Sequence, residues 1–228
     1  MENIVENLNV VKQRIYAAEQ KFSRPTGAVK LLVVSKTHSI TAITHIADAG
    51  QHDFGENYPS EAFKKITRLT DPGLNWHFIG RIQSNKTKLL AQRFDWIQSV
   101  DREKIAQRLS DARPPDLGPI DICIQVNISQ ESSKSGISPI HVYDFAKFIL
   151  KLPGLRLRGL MVIPASYTNF EQQRQTLREA RLLYESLQNN SIKLDTLSMG
   201  MSNDLEAAIA EGSTLIRVGT AIFGNRKS

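Results

Sequence analysis

Short apolar runs alternate along this chain with longer segments whose apolar residues recur every three or four positions. The first periodic segment carries Ile4, Leu8, Val11, Ile15 and Ala18 on one helical face and ends before Pro25-Thr26-Gly27. Apolar or alternating runs then predict strands at Leu31 to Ser35, Asp53 to Gly55, Trp76 to Ile79, Trp96 to Val100, Asp121 to Ile128, Leu155 to Ile163, Thr196 to Met199 and Leu215 to Phe223. Helical spacing fills the intervals at 39–50, 57–69, 84–93, 102–112, 138–151, 170–189 and 203–211.

Such alternation requires parallel strands joined by helical crossovers. Eight strands joined by seven helices, with one helix ahead of them, predict an α/β fold: a (β/α)8 TIM-type barrel with an extra N-terminal helix. The barrel is expected to be a single domain over residues 1–228, with residues 1–24 as the N-terminal helix of the outer ring. An open doubly wound sheet is the competing architecture. The strand Asp121 to Ile128 favours the barrel, because Ile122, Ile124, Val126 and Ile128 share one face and Cys123, Gln125 and Asn127 the other. An apolar face under helices and a mixed polar face inside a barrel account for that alternation.

Composition narrows the function classes. At 228 residues and 41% hydrophobic content the chain can bury a sizeable core. The net charge of +6 comes from scattered groups such as Lys64-Lys65 and Arg156 with Arg158, and aromatics are only 7%, so no stacking platform for bases is expected and nucleic acid is not an expected partner. The single cysteine, Cys123, rules out an intrachain disulfide, and no Cys and His spacing predicts a metal site. The acidic start, without a basic flank and apolar block, predicts neither a signal peptide nor a membrane anchor, so a cytoplasmic protein is expected.

The chemistry-bearing residues fall at predicted strand ends, where barrels of this kind place their active face. Lys36 follows the first strand; a desolvated amine there would suit condensation with a carbonyl ligand, and a snorkelling lysine is the alternative. Asn57 follows the second strand. His77 lies in Trp76-His77-Phe78-Ile79-Gly80 and reads either as a hydrogen-bonded core residue or as a pocket lining. Ser202 is placed to cap the helix at 203–211, beside N–H groups that suit an anion. Gly219 and Thr220 suit close backbone approach to a phosphate. Arg217 shares the inward face of the last strand with Leu215 and Gly219, and its buried charge requires either a structural carboxylate or a ligand acceptor.

Val34-Ser35-Lys36-Thr37, Gly55-Glu56-Asn57-Tyr58, His77-Phe78-Ile79-Gly80, Lys134-Ser135-Gly136, Gly159-Leu160-Met161, Ser198-Met199-Gly200-Met201-Ser202 and Arg217-Val218-Gly219-Thr220-Ala221-Ile222-Phe223-Gly224 together resemble the pyridoxal phosphate homeostasis proteins. One departure is visible: Pro59-Ser60-Glu61 stands where that family commonly has Val-Gln-Glu. The resemblance implies a barrel of the alanine racemase type holding pyridoxal 5'-phosphate as a Schiff base on Lys36. Arg217 would face the pyridine nitrogen, Ser202, Gly219 and Thr220 would hold the phosphate, and Asn57, His77 and Met161 would line the pocket. An arginine partner leaves the ring nitrogen unprotonated and so a poor electron sink. Alanine racemases add a second domain that supplies a catalytic tyrosine, whereas only Asn225 to Ser228 follow Gly224 here. The expected function is therefore storage, buffering or delivery of the cofactor to apoenzymes, without appreciable turnover; an amino acid racemase is the alternative.

Overall fold

The computed structural model describes residues 4–131 and 134–224. Its elements run α1 (Ile4–Lys21), β1 (Lys30–Val34), α2 (Ile40–Asp48), β2 (Asp53–Glu56), α3 (Pro59–Arg68), β3 (Asn75–Phe78), α4 (Thr87–Ala91), β4 (Trp96–Val100), α5 (Glu103–Ala112), β5 (Ile120–Val126), α6 (Val142–Ile149), β6 (Leu155–Val162), α7 (Phe170–Asn189), β7 (Thr196–Ser198), α8 (Leu205–Ala210), β8 (Leu215–Val218) and α9 (Thr220–Phe223). The strands pair in parallel in sequence order, and β8 pairs with β1 through Leu32 with Arg217 and Val33 with Val218, so the sheet closes on itself. The open doubly wound alternative is thereby excluded.

Alternation along each strand builds two cores. Leu31, Val33, Ile122, Ile124, Ile216 and Val218 join the apolar layer between strands and helices. Leu32, Cys123, Met161 and Leu215 are equally buried but lie outside that layer, within the barrel. Helix α1 packs beside α8, α9 and α2 and completes the ring. Its Leu8, Val11 and Ile15 are buried, each contributing about 1.5–3 kcal/mol by area. Polar contacts fix its register: Asn7 Nδ2 donates to the Ile222 carbonyl at 3.0 Å, and Arg14 Nε donates to Glu206 Oε1 at 2.9 Å.

Several boundaries differ from expectation for local reasons. The last strand stops at Val218 instead of reaching Phe223, because the chain turns at Gly219, whose carbonyl accepts from the N–H groups of Ile222 and Phe223 and opens α9. β5 ends at Val126, where Asn127 Nδ2 donates to the Glu131 carbonyl at 2.8 Å and shapes the following loop. Helix α3 begins at Pro59, a residue suited to a first helical position because its missing N–H has no partner there anyway. Ser202 does not act as the expected helix cap: Asp204 occupies the residue before α8.

Candidate functional site

At the carboxyl end of β1 the chain makes a constrained turn through Ser35, Lys36 and Thr37. Ser35 is fully buried; its N–H donates to the Gly55 carbonyl at 3.0 Å and its hydroxyl to Glu56 Oε1 at 2.6 Å. Lys65, reaching in from α3, donates to the Ser35 carbonyl at 2.8 Å and to Glu56 Oε1 at 2.8 Å. The same ammonium donates to Glu61 Oε1 at 2.5 Å, which also accepts the Thr37 N–H at 2.6 Å. Burial raises the Glu56 carboxyl above its ordinary value, with Lys65 and Ser35 only partly offsetting it. Strand ends on one side and an ion-pair cluster on the other thus fix the half-buried Lys36 at the barrel mouth.

Across the mouth, β8 delivers Arg217, 4% exposed. Its Nη1 donates to the Ser198 carbonyl at 2.8 Å and to Ser198 Oγ at 2.6 Å, and its Nη2 donates to the Val162 carbonyl at 2.8 Å. Desolvation pulls this guanidinium down to about 10, still cationic at neutral pH, with the charge of Asp204 opposing the shift. Ser202 Oγ accepts the Ala221 N–H at 3.3 Å and so ties the segment after β7 to α9. Asp204 accepts the Met201 N–H at 2.7 Å; burial raises its carboxyl despite that bond and the Arg217 charge.

Six of the expected residues meet in one cavity of about 190 Å³: Lys36, Asn57, Ser202, Arg217, Gly219 and Thr220. Val34, Ile79, Ile163 and Met201 complete its walls. Asn57 Oδ1 is buried with no hydrogen-bond partner, an acceptor left for something outside the chain. A Cβ at Gly80 would collide with the Asn57 carbonyl, so only glycine lets β3 end this close to Asn57.

His77 and Met161 do not line this cavity. Met161 is fully buried inside the barrel, in register with Gln125 and Ser198. His77 is 1% exposed, stacks on Trp96 at 5.2 Å, and contacts Asp53 Oδ1 at 3.1 Å and Gln98 Nε2 at 2.9 Å, which makes it a hydrogen-bonded interior residue. It borders a larger cavity of about 420 Å³ at the amino ends of the strands, lined also by Lys30, Asp53, Trp96, Asp121 and Arg158. Size does not decide between the two cavities: ligand chemistry in such barrels belongs at the carboxyl ends. Sequence reasoning missed Glu61 and Lys65, one helical turn apart on α3, which reach the Thr37 N–H and Glu56 when α3 packs on the strand ends, and Gln98 and Ser198, which meet only after the barrel closes. Among the described residues no cluster of three or more His, Cys, Asp or Glu is arranged to hold a metal ion, and no helix is long and apolar enough to cross a membrane.

A profile of the alanine racemase N-terminal domain matches residues 2–227. The pyridoxal phosphate homeostasis protein of Pseudomonas aeruginosa is 52% identical over 226 residues, 99% of this chain and 97% of that protein. That of Escherichia coli K12 is 47% identical over 229 residues, 99% of this chain and 98% of that protein. Among solved structures, PipY of Synechococcus elongatus PCC7942 with pyridoxal phosphate bound superposes with a TM-score of 0.83 at 36% identity, covering 97% of this chain and 100% of PipY. An alanine racemase of Clostridium difficile 630 shares the fold, with a TM-score of 0.76 at 13% identity, and this chain covers 61% of its length. With likeness running through nearly the whole length and a barrel of matching shape, this chain belongs to the pyridoxal phosphate homeostasis protein family, built on the alanine racemase N-terminal domain.

Proposed function

We propose that this chain holds pyridoxal 5'-phosphate covalently on Lys36 and keeps it available to apoenzymes without turning over amino acids. The observation that carries the reading is the convergence of an amine, a buried guanidinium and two hydroxyls on one cavity at the carboxyl ends of the strands. These residues fit the cofactor in kind. Lys36 condenses with the aldehyde, forming a C=N bond as one water leaves. Arg217, donor-only, meets the pyridine nitrogen as an acceptor and cannot protonate it. Ser202, Gly219 and Thr220 hold the phosphate, and Asn57 offers its unpartnered oxygen to a donor on the ligand.

The carrier role is supported by what surrounds Lys36. Racemisation needs proton donors on both sides of the substrate carbon. The described lining of the cavity contains no carboxylate, imidazole or phenol beside Lys36, and His77 is engaged elsewhere in the barrel. Bound cofactor, when present, supplies an electrophilic aldehyde and an electron-accepting ring.

The test is the visible spectrum of the purified protein, followed by borohydride reduction and peptide mapping. A yellow protein with the label on Lys36, and a Lys36→Ala variant that folds but traps none, are expected. Label on another amine would overturn the Lys36 assignment. Steady racemisation or transamination at ordinary enzyme rates would replace the carrier reading.

A further inference from the structure

A continuous chain of hydrogen bonds crosses the barrel interior from Arg217 to the opposite end of the strands. Arg217 Nη1 lies 2.6 Å from Ser198 Oγ, which lies 2.7 Å from Gln98 Oε1. Gln98 Nε2 is 2.9 Å from His77 Nδ1, and His77 Nε2 is 3.1 Å from Asp53 Oδ1. The links come from β8, β7, β4, β3 and β2 in turn. Ser198, Gln98 and His77 are essentially inaccessible to water.

The donor direction follows from chemistry. Arginine can only donate, so Ser198 Oγ accepts from it and sends its single proton on to Gln98 Oε1. That fixes the Gln98 amide with its nitrogen toward His77, whose Nδ1 must accept. The imidazole proton then sits on Nε2 and is donated to Asp53. Burial works against an ionised Asp53, yet the hydrogen bond from His77 and the charge of Lys30 hold its carboxyl below the ordinary value. Every donor therefore points the same way, with a cation at one end and a carboxylate at the other. Three side chains thus link the guanidinium, which also feels the charge of Asp204, to a carboxylate at the far end of the barrel.

We propose that Ser198, Gln98 and His77 are positioning residues for cofactor recognition, aiming the Arg217 guanidinium at the cavity and tying its charge to Asp53 at the far end of the barrel. The cofactor part of this inference rests on the reading of Arg217 given above; the chain itself does not. Three hydrogen bonds hold the guanidinium from behind, to Ser198 and to the Val162 carbonyl, and its other N–H groups remain for the cavity it lines. Aligned bonds of this kind polarise one another, so a change at Asp53 is felt at Arg217 although the two do not touch.

Two substitutions interrupt the chain away from the cofactor cavity. Asp53→Asn removes the terminal carboxylate at a partly exposed position, and Gln98→Met keeps volume while removing both central bonds. In ligand-free protein carrying isotope-labelled arginine, both are expected to move the Arg217 side-chain resonances, assigned through Arg217→Lys. In protein loaded with pyridoxal phosphate, Gln98→Met is expected to weaken binding about ten-fold and to shift the absorption maximum. Asp53→Glu should restore the wild-type resonances. Leu177→Ala, a buried helix residue of the outer apolar layer, should lower stability without moving either signal. Unmoved Arg217 resonances in Asp53→Asn, or equal movement in Leu177→Ala, would overturn the proposal. A protein that shows the arginine shifts yet never binds pyridoxal phosphate would keep the chain and remove the cofactor reading.

Discussion

The backbone N–H of Thr37 donates to Glu61 Oε1 at 2.6 Å, so a helix residue from α3 clamps the turn that carries Lys36. Thr37 sits at φ +67°, in the left-handed region that a β-branched residue avoids, at a cost of about 1–3 kcal/mol. The clamp holds that conformation, and Lys65 shares the same carboxylate oxygen. Glu61→Ala should lower stability by about 1–3 kcal/mol in urea unfolding and weaken pyridoxal phosphate binding as well. Adding Thr37→Gly should recover stability by relieving the strain, while the affinity stays low because the turn remains unclamped.

Glu56 and Lys65 form a buried pair at 2.8 Å. Lys65→Met strands the carboxylate without its cation and should cost about 3–5 kcal/mol. The pH dependence has a defined sign. The folded-state carboxyl of Glu56 titrates above its ordinary value, so its contribution is fully present below the unfolded value and is lost as pH rises through the folded one. Wild-type protein should therefore lose stability relative to Glu56→Gln as pH is raised from the ordinary carboxylate range upward. Denaturant midpoints of the two proteins that stay parallel across that window would contradict the raised value.

Gly219 lies against β1: a Cβ there would sit 3.1 Å from the Val34 carbonyl oxygen and 3.3 Å from Val34 Cβ. Gly219→Ala must push the ends of β8 and β1 apart, which should cost about 1–3 kcal/mol as overpacking. Because both segments border the cavity, cofactor affinity should fall in the same variant, read by titration of absorbance.

Cys123 is completely buried, and burial pushes its thiol well above the ordinary range. A thiol-specific reagent should leave the native protein unlabelled and react once denaturant unfolds it. Rapid labelling under native conditions would mean that the barrel interior opens readily.

The barrel was legible because each strand is a short apolar or alternating run, and the alternation in β5 already placed Cys123 and Gln125 inside. Arg217 was legible for the same reason, pointing inward between Ile216 and Val218. The end of β8 was not, since Thr220 to Phe223 have strand-like composition and only the turn at Gly219 sends them into a helix. His77 lies near a strand end, where its sequence position suits either a core residue or a pocket lining. Its hydrogen bonds with Gln98 and Asp53 turn it toward the amino end of the barrel instead. Gln98 belongs to no motif, and Ser198 opens the Ser198-Met199-Gly200-Met201-Ser202 segment without a partner that spacing alone would name. The available sign was two polar residues, Gln98 and Ser99, in an otherwise apolar strand.

Closure of β8 onto β1 bears on biosynthesis. Lys36 is made long before Arg217 and Thr220, yet all three border the same cavity. A nascent chain lacking the β8 segment can form most of its hairpin-free sheet but has no pocket to load, and joining its two edges carries the entropy cost of a very long loop. Vitamin capture should consequently wait for the β8 segment, and ribosome-stalled fragments ending before Leu215 should stay colourless.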